Sequence, residues 1–159
     1  MTTEKSPSIV LFLDFDGVTH PEPCLQEQLF CYLVRIEDVL REHPQVEVVI
    51  SSSWRDEYSL EQLRALFAAD MAERIVGITP SIKRPSSTWQ PGQVPEFERE
   101  WEIETWLKEN RRWDTHWIAI DDRPYWFRPN SVNLLRTHSR IGFTLDDKVT
   151  LQAMLLARS

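Results

Sequence analysis

A chain of 159 residues, 42% hydrophobic and 27% charged, is long enough to bury a core of its own and has the balance of an ordinary soluble globular protein. Its longest apolar stretches are about five residues against the roughly 20 that span a bilayer, and Met1 to Ser8 lacks the basic-then-apolar layout of a secretory signal. The expectation is a single cytoplasmic domain over residues 1–159 with no membrane partner, and a net charge of −7 argues against indiscriminate binding to a polyanion.

Ile9 to Leu13 is a continuous apolar run, as in a strand buried on both faces. Leu25, Leu29, Leu33, Ile36 and Leu40 then recur at spacings of three to four, predicting one helix that ends at His43-Pro44. Cys24 and Cys31 fall in that helix two turns apart, roughly 10 Å, which is beyond disulfide reach. Val46 to Ile50 reads as a second strand. Ser59 with Gln62 forms a capping box for a helix carrying Leu60, Leu63, Leu66, Phe67 and Met71.

Ile75 to Ile78 suggests a short strand, followed from Thr79 to Pro95 by a loop with prolines at 80, 85, 91 and 95. A loop of this length usually works as a lid or contact surface. Arg99 to Asn110 is helical through Ile103, Trp106 and Leu107, and Trp117 to Ile120 is a clear strand stopping at Asp121-Asp122. Val132 to Leu135 reads as a further strand and Leu145 to Ala157 as the closing helix. Strands alternating with helices predict a parallel sheet covered by helices.

Three strands end in polar residues: Asp14 and Asp16 after the first, Ser51, Ser52 and Ser53 after the second, Asp121 and Asp122 after the clear late strand. In an open parallel sheet the carboxyl ends of the strands line the ligand crevice. All three sets therefore meet at one edge, and carboxylates crowded there raise one another's pKa unless a cation intervenes. Oxygen-only donors favour Mg²⁺ over zinc, and none of the four histidines (20, 43, 116 and 138) pairs at a zinc-like spacing. An aspartate beside Mg²⁺ can attack a phosphoryl group to give an aspartyl-phosphate, with a second carboxylate moving protons. Gly17 relieves crowding where the chain leaves the strand.

Asp14-Phe15-Asp16-Gly17-Val18 resembles motif I of the haloacid-dehalogenase (HAD) superfamily. Val48-Val49-Ile50-Ser51 resembles its motif II, and Ile118-Ala119-Ile120-Asp121-Asp122 its motif IV. Ser51 to Arg55, Gly77 to Pro80 and Glu102 to Leu107 are similar to the HAD domains associated with Swiss Army Knife RNA-repair proteins. The resemblance implies a Rossmann-like, HAD-type three-layer α/β/α fold with a parallel central sheet and no cap or a minimal one. It implies Asp14 as nucleophile and metal ligand, and Asp16 as general acid and base whose carbonyl binds metal. Ser51, with Ser52 the alternative, would bind the phosphoryl group; Asp122 would complete the metal site, with Asp121 sharing or supporting it. For the cationic member, Arg99 is favoured over Lys83, which lies in the proline-rich loop with Arg84.

The function expected is Mg²⁺-dependent phosphomonoester hydrolysis on a large partner that reaches an open site, such as a phosphorylated nucleic-acid end. A protein phosphatase and a non-catalytic binding module are the alternatives. Residues 1–75 carry 6 basic and 14 acidic side chains and residues 76–159 carry 12 and 11, so the arginines at 111, 112, 123, 128, 136 and 140 could form a local basic rim. Trp54 and Arg55 either contact substrate or serve packing and ion pairing.

Overall fold

The computed structural model describes residues 8–81 and 95–158. Five strands form one all-parallel sheet: β1 (Ile9–Leu13), β2 (Val46–Ile50), β3 (Ile75–Ile78), β4 (His116–Asp121) and β5 (Leu134–Arg136). Their order is β3-β2-β1-β4-β5, so the chain builds outward from β1 and then returns to its other side. That reversal opens the crevice at the carboxyl ends of β1 and β4.

Helices cover both faces: α1 (Leu33–Glu42), α2 (Leu60–Arg64), α3 (Glu98–Glu109) and α4 (Leu145–Ala157). Side chains alternate across a strand, and the two cores follow that alternation. Ile9, Leu11 and Leu13 of β1 pack with Val48, Ile118 and Ile120 against Leu33, Ile36 and Leu40 of α1, Leu63 of α2 and Leu151 and Leu155 of α4. Val10 and Phe12 face the other way, with Val49 and Ala119, onto Ile103, Trp106 and Leu107 of α3. The three-layer, Rossmann-like α/β/α expectation is met, and β1, buried on both faces, is its axis.

Two helices are shorter than their periodicity suggests. The first begins at Leu33, not Leu25: residues 26–28 form a 3₁₀ turn, Leu25 is exposed, and Phe30 takes a left-handed φ of +62°. Cys24 and Cys31 therefore lie outside α1, as a half-buried and an exposed free thiol, and the two-turn separation does not apply to them. The segment between Gly17 and the first α-helix is correspondingly longer than the sequence pattern suggests. The second helix stops at Arg64: the Leu66 and Phe67 N–H groups donate three residues back instead of four, and the next N–H, that of Ala68, leaves the helix altogether for the buried Glu37 carboxylate at 2.7 Å. Phe67 and Met71 still reach the core, from turns. No described helix is long and apolar enough to cross a membrane.

Candidate active site

The sheet ladder runs one residue past the strands and fixes the first polar residue at each end. Asp14 N–H donates to Ile120 O at 3.1 Å, Ser51 N–H to Leu13 O at 2.8 Å and Thr79 N–H to Ile50 O at 3.0 Å. These backbones cannot swing, so the side chains they carry are held at one edge.

Asp14, Asp121 and Asp122 are all buried, and each places one carboxylate oxygen within 4.8 Å of the others. Burial, and then the neighbouring Asp121 charge, hold the Asp14 carboxyl well above the usual carboxylate range, with Arg99 opposing. Burial likewise pushes Asp121 up to about 6, against the pull of Arg99. Three desolvated carboxylates this close are costly unless protons or a cation compensate them. The donor set is oxygen only, which suits a hard divalent ion.

Gly17 shows how tightly the site is built. Its φ is +76°, and a Cβ there would sit 2.3 Å from Asp122 Oδ2 and 2.7 Å from Asp122 Cγ. Asp122 Oδ2 also accepts from Ser139 Oγ at 2.8 Å, and Thr137 Oγ1 donates to Gly17 O at 2.7 Å. The β1 turn and the segments after β4 and β5 are thus tied together around one carboxylate.

Arg99, near the start of α3, is buried at the same edge. Its guanidinium donates to Ser51 O, lies 3.5 Å from Ser51 Oγ and stands 3.5 Å from Asp121 Oδ2. It also lies 5.1 Å over the Trp126 ring. Lys83 and Arg84 fall outside the described residues.

A cleft of about 90 Å³ is lined by Asp14, Asp16, Glu22, Ser53, Arg99, Asp122, Arg123 and Trp126. Four of the residues expected from the sequence, Asp14, Asp16, Arg99 and Asp122, therefore line one cleft. Asp121, Ser51 and Ser52 are buried and do not line it; Ser52 Oγ caps the following 3₁₀ turn by accepting from Trp54 N–H at 3.3 Å. Ser53, exposed, is the serine on the wall. A wider groove of about 400 Å³ shares Asp16 and Ser53 and continues along Trp54, Asp56, Glu57 and Tyr58.

Asp16 is about one-third exposed, and its Oδ1 accepts from Trp54 Nε1 at 3.1 Å and lies 2.9 Å from His20 Nε2. The hydrogen bond with His20, then that with Trp54, hold its carboxyl below the usual range against the effect of burial. Trp54 also stacks on Tyr58, with ring centroids 5.4 Å apart. Arg55 is taken up structurally, pairing with buried Glu102 at 2.6 Å and donating to Thr79 Oγ1 at 2.9 Å.

Glu22 and Trp126, which line the cleft, and His20, which reaches Asp16 from beside it, carry no motif in the sequence that marks them for this site. His20 stands four residues after Asp16, a spacing with meaning in a helix, but here it lies in a non-helical turn.

An open parallel sheet reversing at β1, with an aspartate locked after β1 and a paired aspartate after β4, defines a domain of the HAD class. More specifically, the chain belongs to the family described as the HAD domain in Swiss Army Knife RNA repair proteins, whose model matches residues 10–148. Comparison with curated proteins and with solved structures finds no match.

Proposed function

We propose that this domain is a Mg²⁺-dependent phosphomonoesterase that works through an aspartyl-phosphate on Asp14. The observation that carries the reading is the buried Asp14–Asp121–Asp122 cluster beside a buried arginine, with Asp14, Asp122 and Arg99 reaching the wall of an open cleft. Three buried carboxylates packed this closely are costly without a cation, and their chemistry matches phosphoryl transfer. The family's description names RNA repair proteins, and that supports a phosphorylated nucleic-acid end as the substrate.

Asp14, Asp122 and the Asp16 carbonyl would hold the ion, with Asp121 behind them. When bound, Mg²⁺ supplies the charge that offsets the carboxylates and the phosphoryl oxygens. Arg99, with Ser51 against it and Ser53 on the wall, orients the phosphoryl group. Asp14 attacks phosphorus, the bond to the leaving oxygen breaks, and Asp16, in the minor fraction that carries a proton, gives that oxygen its proton. Asp16, now a carboxylate, takes a proton from water as the water attacks the phosphorus. The phosphorus–Asp14 oxygen bond breaks, releasing inorganic phosphate and restoring both aspartates.

The test is phosphate release from 5′- and 3′-phosphorylated oligonucleotides, a phosphopeptide and an aryl phosphate, with Mg²⁺ and with chelator. Mg²⁺-dependent turnover of the oligonucleotides that disappears in Asp14→Asn supports the proposal. Turnover confined to the phosphopeptide would make it a protein phosphatase. Absence of turnover on every substrate, with Mg²⁺ binding demonstrated, would leave a binding module.

A further inference from the structure

His20 is almost completely buried beside the cleft and has no part in the chemistry above. Its Nδ1 accepts the Phe30 backbone N–H at 3.2 Å and lies 3.1 Å from Thr19 Oγ1. A backbone N–H can only donate, so Nδ1 carries the lone pair and the ring hydrogen sits on Nε2. That hydrogen points to Asp16 Oδ1, 2.9 Å away. The Trp54 indole N–H, also donor only, reaches the same oxygen at 3.1 Å. Among the described residues, Asp16 Oδ2 takes no hydrogen bond.

Neither donor is free to move. Phe30 packs edge-on against His20 at 5.2 Å and against Trp54 at 5.1 Å, and Phe15 edges onto both Phe30 and Trp54 at 5.1 and 5.8 Å. Phe30 delivers its N–H from a left-handed backbone, with φ at +62°, a conformation that costs a bulky residue and persists only where the surroundings impose it. The turn that precedes α1 thus presents one of its N–H groups to the histidine. A histidine that only filled core space would have no need to end on a partly exposed carboxylate.

We infer that His20 and Trp54 are positioning residues for Asp16: they hold its carboxylate by Oδ1 so that Oδ2 is the oxygen that exchanges the proton with the leaving group and with water. Without them a one-third-exposed aspartate could turn among its rotamers, and a misplacement of about 1 Å can cost on the order of 10²-fold in rate. The inference rests on the phosphomonoesterase reading.

The leaving group provides the test. An alkyl oxygen must gain a proton as its bond to phosphorus breaks, whereas 4-nitrophenolate leaves without one, and kcat/KM reports only steps up to that cleavage. His20→Leu and Trp54→Phe should each lower kcat/KM for an alkyl phosphate by roughly 10-fold to 10²-fold. The loss on 4-nitrophenyl phosphate should be far smaller, with a burst as the aspartyl-phosphate accumulates. His20→Gln, which keeps an N–H near the place of Nε2, should recover part of the alkyl activity. Trp54→Phe keeps the aromatic packing, so the test stands even where a His20 variant misfolds. Equal losses on both substrates, or no loss on either, would overturn the positioning role. An inactive wild type would instead remove the phosphomonoesterase reading, and this inference with it.

Discussion

Alanine in place of Gly17 would put a methyl group into the Asp122 carboxylate on a backbone that already has a positive φ. Either the turn after β1 or Asp122 must give way. Gly17→Ala should cost about 1–3 kcal/mol of stability and weaken Mg²⁺ binding, read by denaturant unfolding and by metal titration. Arg99 carries the complementary prediction. It is the buried cation facing Asp121 at 3.5 Å, and Arg99→Ala leaves that carboxylate uncompensated. A loss of about 3–5 kcal/mol is expected, with activity abolished.

The acid pair also sets a pH dependence. The folded pKa of Asp121, about 6, lies above the unfolded value near 3.9. Without metal, the folded state thus keeps a proton that the unfolded chain loses between those values. This contribution to stability is present at low pH and is lost as pH rises through about 6. Mg²⁺ competes with the same proton, so its apparent affinity should fall as pH falls through that value. At neutral pH, Mg²⁺ at 100 times its dissociation constant should add about 2.7 kcal/mol. Melting curves with chelator and with Mg²⁺, at pH 5 and pH 7.5, measure both effects; a metal-induced shift as large at pH 5 would contradict the assignment.

At the scale of elements, the stretch before α1 shows where periodicity misleads. Leu25 and Leu29 keep the helical spacing of Leu33, Ile36 and Leu40, yet a 3₁₀ turn and the left-handed Phe30 intervene. Leu25→Ser should change stability by no more than about 0.5 kcal/mol because the side chain is exposed. Ile36→Ala, in the core with β1, should cost about 2–5 kcal/mol. Denaturant unfolding separates the two; one continuous helix would make both costly. The other boundaries were legible where the signal was local. Ser59 and Gln62 form the capping box as read, Leu145–Ala157 matches to the residue, and β2 and β3 fall on their apolar runs. The early end of α2 was not legible, since Glu37, which takes the Ala68 N–H just beyond its last turn, lies 31 residues away.

For the whole molecule, charge bears on how the proposed nucleic-acid substrate would be met. Three of the six late arginines already face carboxylates: Arg112 pairs with Glu47 at 3.0 Å, Arg128 with Glu104 at 2.8 Å and Glu100 at 3.1 Å, and Arg123 stands 3.8 Å from Glu22 at the cleft. With a net charge of −7 as well, little long-range attraction for a polyanion remains. Recognition should then fall on the phosphorylated end. The KM of an end-phosphorylated oligonucleotide should vary little with length and with salt. A steep dependence on both, measured by steady-state kinetics from 50 to 200 mM salt, would mean that the chain tracks the backbone.

The succession of strands and helices, the burial of β1 on both faces and the delivery of Asp14, Ser51 and Asp121 to one sheet edge are all readable from residue order. Those features follow from short-range rules: alternation of apolar residues, capping and the parallel ladder. Tertiary structure alone decided which serine reaches the cleft, that Gly17 lies against Asp122, and that His20 and Trp54 meet on one oxygen of Asp16. These contacts join segments from different strand ends or hang on one turn's backbone geometry. Such contacts are set by how close-packed elements approach one another, which no local pattern records.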